Sequence, residues 1–277
     1  MRPELQKKID HAIRLLKAYD NPDEPVEIAY SGGKDSDVIL QLAKEAGINF
    51  RAIYRNTTID PPGTINHVKA MGVEILQPKK TFFQLIEENG LPNRFMRFCC
   101  RFLKEYKVLD KCVMGVRKAE SRARDERYNE PSECKFYGSK KNYIEAVYPR
   151  LEWSDEDVAE FLQDRKIKCA PVYYDEQGNF HVERRLGCIA CPLASEGKRI
   201  KQFQKYPGIL RQYIVRLRKF RDAHKDTEVC SYFANEYEQM YFDIYCSSKP
   251  EFEQKRDGLF GKPDFKGFLE QTFGIKL

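Results

Sequence analysis

Leu5, Ile9, Ala12 and Leu16 recur at helical spacing, so residues 3–19 read as an amphipathic helix that "NPDEP" ends. Val26 to Tyr30 is a short apolar run of strand length. From Ser36 to Ala46 the apolar period turns helical, with Val38, Ile39, Leu42, Ala43 and Ala46 on one face and Gly47 as the stop. "NFRAIYRN" is a second strand, and "PPGTINHVKAMG" a helix opened by prolines and closed by Gly72. "VEIL" is a third strand, "TFFQLIEEN" a short helix, "RFLKEYKVLDK" a further helix and "CVMGV" a fourth strand. "NYIEAVYP" is one more strand, and "SDEDVAEFLQDR" a helix with Ser154 as N-cap. Strands alternating with helices at this spacing predict a doubly wound, mostly parallel α/β sheet with helices on both faces. After Pro192 the chain becomes basic, aromatic and helical in period. The expected organisation is therefore an N-terminal helix (1–25), an α/β domain (26–192) and a helical C-terminal region (193–277), without internal repeats.

Length and charge narrow this picture only a little. A chain of 277 residues can bury a sizeable core, and its net charge of +6 suits an anionic small substrate or a nucleic acid without choosing between them. No apolar stretch reaches the roughly 20 residues of a membrane span, and the N-terminus lacks the apolar core of a signal peptide, so a cytoplasmic location is expected. In that compartment nine cysteines call for something other than disulfides. Cys112, Cys134, Cys169, Cys230 and Cys246 are dispersed. Cys99–Cys100 and Cys188-x-x-Cys191 are placed.

The densest local signal is "IAYSGGKDSDVIL" (28–40), where a strand gives way to a helix through two glycines. Gly32 and Gly33 let backbone N–H groups point inward, the helix N-terminus adds partial positive charge, Lys34 adds a full one, and Ser31 and Ser36 add hydroxyls. Together these make an anion site. It is neither a Walker A loop nor G-x-G-x-x-G. The plain alternative is a glycine turn between strand and helix. Arg117 and Arg124, beyond the end of a sheet strand, could pair bidentately with sulfate or phosphate oxygens, or form part of a solvated charged helix.

Two thiols from Cys99–Cys100 and two from Cys188 and Cys191 could ligate one metal centre. Adjacent cysteines diverge, which suits a cubane [4Fe–4S] cluster better than a single Zn. Unpaired thiols or a redox-active C-x-x-C remain the alternatives. His11, His67, His181 and His224 are isolated, with solvated or structural roles expected.

"SGGKDS" resembles the PP-loop of the ATP-pyrophosphatase superfamily, and three further stretches resemble its phosphoadenosine phosphosulfate (PAPS) and adenosine phosphosulfate (APS) reductase family. These are Gly115, Arg117, Glu120, Ser121 and Arg124 in "CVMGVRKAESRAR"; Pro149, Leu151, Trp153, Asp157 and Val158 in "YPRLEWSDEDV"; and "APVYYDEQGN" followed by "LGCIACPL". The resemblance covers residues 26–192. It implies an adenine nucleotide alpha hydrolase-like fold that binds ATP, APS or PAPS, with Mg as a candidate companion. Ser31, Gly32, Gly33, Lys34, Asp35, Ser36, Asn56, Thr57, Gly115 and Arg117 would form the nucleotide site, and Lys34, Arg117, Arg124 and Lys104 would act in catalysis. "CCRFLK" with "CIAC" resembles the signature of the cluster-containing APS reductases, which implies that Lys104 links cluster and bound anion electrostatically.

Departures from the family bear on the reaction. Relatives carry Asp-Thr where this chain has Asn56-Thr57, and a long insert precedes Gly187. The nucleophilic cysteine of the reductases' C-terminal "E-C-G-x-H" has no counterpart beyond Cys246. The expectation is therefore an enzyme of sulfur metabolism or sulfur transfer with a thiol or electron-donor protein as partner. Modification of a nucleic acid, as in the family's DNA phosphorothioation and tRNA thiolation cousins, or nucleotide sensing without turnover, stays open, as does a homo-oligomer. The basic aromatic stretch 198–224 would suit a nucleic acid, but a helix that packs its apolar stripe (Phe203, Tyr206, Ile209, Leu210 and Tyr213) and leaves a solvated basic face is the preferred reading.

Overall fold

The computed structural model describes residues 1–137, 139–225, 227–257 and 263–277, so residues 226 and 258–262 of the expected C-terminal region lie outside the described residues. The chain divides into two compact units that interleave along the sequence. The first comprises residues 1–56, 60–78 and 105–187; the second comprises 57–59, 79–104 and 188–277.

The first unit is built on a six-stranded sheet: β1 (Val26–Tyr30), β2 (Phe50–Arg55), β3 (Glu74–Leu76), β4 (Lys111–Val113), β5 (Ser132–Tyr137) and β6 (Ser139–Val147). The order is β3-β2-β1-β4-β6-β5, with every pairing parallel except β5 with β6. The order runs outward in opposite directions from β1 and β4, as in doubly wound folds, so the sheet has its switch point between these two strands. Helices α1 (Pro3–Tyr19), α2 (Lys34–Ala46) and α7 (Asp155–Asp164) bury Leu5, Ile9, Leu16, Val38, Leu42, Val158 and Phe161 with Val26, Ile28, Val113 and Val147 of the sheet. α3 (Thr64–Ala70) packs Val68 into a cluster with Tyr30, Leu40 and Tyr54. α6 (Arg122–Arg127) is short and buries none of its residues.

The second unit is helical. It contains α4 (Phe82–Asn89), α5 (Phe98–Leu103), α8 (Glu196–Lys205), α9 (Pro207–Ala223), α10 (Glu228–Tyr232), α11 (Glu236–Tyr245), α12 (Lys249–Arg256) and α13 (Phe265–Phe273). A capping box of Thr81 and Gln84 starts α4. The apolar stripe of α9 (Leu210, Tyr213, Ile214, Leu217 and Phe220) packs in one core with Phe82, Leu85 and Ile86 of α4 and Phe203 of α8. No described helix is long and apolar enough to cross a membrane.

Two elements differ from the sequence expectation. The helix expected over 101–111 lies instead at Phe98–Leu103; the carbonyl of Tyr106 accepts from Arg55 Nη2 at 3.0 Å and is held outside any helical ladder. β5 was not expected. It is an antiparallel edge strand whose Glu133, Cys134 and Lys135 carry no clear apolar alternation.

Candidate functional site

In the first unit the chain leaves β1 through Ser31 and turns into α2 at the sheet's switch point. Gly32 holds φ +76°, and a Cβ there would meet Thr64 Cγ2 at 3.0 Å. Gly33 is the N-cap of α2, and a Cβ on it would meet the Tyr173 hydroxyl at 3.0 Å. Gly32 is therefore required by its backbone, and at Gly33 a Cβ would make the Tyr173 side chain give way by a few tenths of an ångström. The turn is tied by its own hydroxyls: Ser36 Oγ donates to Gly33 O at 2.7 Å and lies 3.3 Å from Ser31 Oγ.

Charge is concentrated around Asp35. Its Oδ1 accepts from Arg117 Nε at 2.8 Å and Arg150 Nη2 at 2.9 Å, while its Oδ2 stands 3.0 Å from Lys34 Nζ. Burial pushes this carboxyl up, but Arg150, Lys34 and Arg117 outweigh it and hold Asp35 well below the usual carboxylate range. Arg117 is buried and also donates from Nη1 to Trp153 O at 3.2 Å and from Nη2 to Asp155 Oδ1 at 2.7 Å. Arg150 is 0% exposed and also donates to Gly115 O at 3.2 Å; its Nε and Nη1 have no partner among the described residues. Gly115 lets the end of β4 close on this group, since a Cβ would lie 3.1 Å from the backbone oxygen of Asp35. Lys34 is buried and sits over the Tyr173 ring, 5.5 Å from its centroid.

Of the residues expected at the nucleotide site, the structure thus brings Ser31 to Ser36, Gly115 and Arg117 together. Arg124 lies on α6, 39% exposed and paired with Glu120, whose carboxylate also accepts the Arg117 backbone N–H at 3.3 Å. Asn56 is held by Gln77, its Nδ2 donating at 2.8 Å. Two features escaped the sequence. Arg150, inside "YPRLEW", reads as a surface arginine, and only the neighbouring Trp153 hinted at burial. Beneath the loop, Asp37 accepts from the Tyr30 hydroxyl and lies 2.9 Å from His67 Nε2, which gives His67 a structural role.

In the second unit, Cys99, Cys100, Cys188 and Cys191 line one cavity together with Thr57, Lys104 and Tyr213. α5 faces Phe98 and Leu103 into the core, and Cys99 and Cys100 are half-buried between them. The C-x-x-C turn is held by Ile189 N on Ile59 O at 2.9 Å and by Ala190 N on Gln202 Oε1 at 2.9 Å. Ala190 adopts φ 55°, the left-handed region, so the turn between these two cysteines is strained. Cys188 Sγ is 3.8 Å from Thr57 Oγ1, and a hydrogen bond to Cys100 followed by burial pushes the Cys99 thiol up. Tyr213 is fully buried, and its hydroxyl has no partner among the described residues. Among those residues no three His, Cys, Asp or Glu side chains form a ready-made site for a single metal ion; the four thiols surround a cavity instead. Four cysteines and an orphaned hydroxyl around one space fit a sulfur-ligated cluster.

The profile of the phosphoadenosine phosphosulfate reductase domain matches residues 25–194, and the chain belongs to that family. Two uncharacterized proteins of Methanocaldococcus jannaschii are similar to it. One is 26% identical over 237 residues, 78% of this chain and 53% of its own length; the other is 27% identical over 233 residues, 77% and 46%. The chain thus spans about half the length of these curated relatives. Among solved structures, phosphoadenylyl-sulfate reductase from Candida auris, a phosphate complex, matches with TM-score 0.43 and 15% identity over 61% of this chain and 90% of that one. The U34-tRNA thiolase from Methanococcus maripaludis with its [4Fe-4S] cluster matches with TM-score 0.40 and 16% identity over 88% of both chains.

Proposed function

We propose that the protein is a nucleotide-activating enzyme of sulfur transfer: it binds an adenine nucleotide on residues 31–36 of the first unit and carries a [4Fe–4S] cluster on Cys99, Cys100, Cys188 and Cys191 of the second. The observation that carries this reading is the single cavity lined by all four of those cysteines, which come from two distant stretches of chain. When bound, the cluster would supply a redox-active, sulfur-binding metal centre; Lys104, on the same cavity wall, would offset the negative charge of the thiolates. In the first unit the turn's N–H groups, Lys34 and the start of α2 would bind phosphate oxygens. Asp35 holds Arg117 and Arg150 buried beneath the loop, so their charge would act on a bound anion through its field and not by contact.

Transfer is favoured over phosphosulfate reduction by the state of Cys230 and Cys246, the two cysteines of the C-terminal region, where the reductases carry their nucleophile. Cys230 is buried at 6% exposure. Cys246 is partly covered, and burial pushes its thiol up despite Lys255 nearby. A nucleophilic thiol needs the opposite: access and a depressed pKa.

Anaerobic purification from iron-replete cells, with iron and sulfide assays and calorimetry against ATP, APS and PAPS, tests the reading. A brown protein with about four iron and four sulfide per chain and a nucleotide bound in micromolar range supports it. Stoichiometric zinc without iron, or no affinity for any of the three nucleotides, overturns it. Sulfite release from APS or PAPS with thioredoxin would move the chain to the reductases.

A further inference from the structure

Phe95 is 96% exposed, Met96 58% and Phe102 50%, all within eight residues of one another in "RFMRFCCRF". These residues belong to the second unit, which has ample core for apolar side chains. Their exposure is built into an ordered turn. Asn93 Oδ1 accepts the backbone N–H groups of Phe95 and Met96, both at 2.8 Å, and Asn93 N closes the turn on Met96 O at 3.3 Å. Leaving a Phe or Met side chain in water forgoes roughly 1.5–3 kcal/mol of burial. An ordered turn that does so twice presents a contact surface. Arginines interleave with it. Arg94 and Arg101 are exposed, neither has a carboxylate partner among the described residues, and Arg101 stacks over Phe102, 5.0 Å from its centroid.

The turn borders a cavity of about 400 Å³, within the size range of small-ligand sites. Met96 and Asn93 form one side of it, and Phe220, Tyr232, Phe233 and Phe242 form aromatic walls. Asn93 spends its oxygen on the turn, and Asn89, also on the wall, spends its amide nitrogen on Leu85 O at 2.9 Å. That leaves one amide donor (Asn93 Nδ2) and one carbonyl acceptor (Asn89 Oδ1) among the lining residues, beside Glu228, Gln239, Asp243 and Lys249, and a donor with an acceptor is what a nucleobase edge pairs with. A membrane or an apolar helix would want a continuous apolar face. Aromatic faces alternating with unpaired guanidinium groups match a flexible polyanion whose units are themselves aromatic.

We infer that this surface binds unpaired nucleotides of a single-stranded nucleic acid, with one base in the aromatic cavity, a neighbouring base on Phe95 and phosphates on Arg94 and Arg101. It goes beyond the reading above by naming an acceptor class, and it is read by binding alone, so it stands or falls separately from the cluster.

Anisotropy of short fluorescein-labelled single-stranded RNA and DNA, titrated with the full chain at several salt concentrations, tests it. The single strand should bind more tightly than the matching duplex. Arg94→Gln with Arg101→Gln should weaken binding roughly tenfold and lower the salt slope by about 1.4, two phosphate contacts at ~0.7 each. Phe95→Ala with Met96→Ala should weaken it roughly tenfold with the slope unchanged, since base stacking carries no counterion release. Lys7→Gln with Lys17→Gln, exposed lysines of α1 with the same charge change, should leave affinity within about twofold. All these positions are on the surface, so the variants should fold, which circular dichroism checks. Absence of single-strand binding, equal affinity for duplex, an unaffected Phe95/Met96 variant, or equal weakening by the lysine control would each overturn the inference.

Discussion

Replacing Asp35 with asparagine keeps the shape of the loop and removes one charge. The carboxylate lies 2.8 Å from Arg117 Nε, 2.9 Å from Arg150 Nη2 and 3.0 Å from Lys34 Nζ. Without it Arg117 still has Asp155, but Arg150 keeps only the Gly115 carbonyl and the Trp153 ring. Breaking a buried ion pair from one side costs about 3–5 kcal/mol, because the other charge stays buried and uncompensated. Asp35 itself is 19% exposed, which admits some water and places the loss near the lower end, about 3 kcal/mol. Urea unfolding followed by circular dichroism measures it. Adding Arg150→Met should recover more than half of the loss, since the orphaned cation is then gone. The pH dependence has a definite sign. The folded state depresses this pKa, so the stabilisation is fully present above the unfolded value near 3.9 and is lost as pH falls below it toward the folded value. The gap between wild type and Asp35→Asn should be constant above about pH 5 and shrink in more acidic buffer. A loss under about 1 kcal/mol at neutral pH, or no recovery in the double variant, would refute the view that Asp35 is the counter-ion of this site.

Gly32→Ala forces a left-handed alanine against Thr64 and should cost about 1–3 kcal/mol while weakening nucleotide binding, both read by calorimetry. Ala190→Gly should raise the stability of the metal-free protein by up to about 1 kcal/mol, because the left-handed turn no longer crowds a Cβ; a loss in urea unfolding would count against strain there. Tyr213→Phe removes a buried hydroxyl without a partner, so the metal-free variant should be at least as stable as wild type, by about 1 kcal/mol, whereas a marked loss would reveal a hydrogen bond absent from this account. Cys188→Ser should lower iron content after anaerobic preparation, and full metal loading in that variant would remove Cys188 from the ligand set.

The parts of this architecture legible in the sequence are those whose cause is local. A strand, a glycine pair and a helix announce themselves by period and by backbone demand, and the structure finds Gly32 in the left-handed region and Gly33 in close approach to Tyr173. The C-x-x-C and the adjacent cysteines were visible as chemistry. That they line one cavity is a fact of packing between α5 and the 188–191 turn, which the spacing alone does not contain. Arg150 and the unpaired hydroxyl of Tyr213, whose ring the apolar stripe did place in the core, were invisible for a related reason. An arginine between a proline and a leucine, or a tyrosine in a basic helix, is ordinary by composition, and only burial without a partner singles it out. The exposed Phe95 and Met96 fail in the opposite way, because an apolar residue beside cysteines reads as core until its accessibility is known.

The family match ends at residue 194, yet the cysteine cavity does not. Gln202 of α8 holds the strained Ala190 between Cys188 and Cys191, and Tyr213 of α9 forms part of the wall. Tyr213 is fixed there by aromatic contacts with Phe82 and Phe203, both with centroids 5.5 Å away, and with Phe83 edge-on at 5.7 Å. Such pairs favour defined ring orientations, so the position of the hydroxyl follows from the core around it. α8 and α9 are therefore structural members of the cysteine site. The apolar stripe of α8 and α9 packs into the core and lends Tyr213 to the cavity wall, while Lys198, Lys201 and Lys205 are exposed. A substitution that loosens this stripe should act on the cysteine cavity through Tyr213 and Gln202 before it acts on the 31–36 loop, whose supports lie in the other unit.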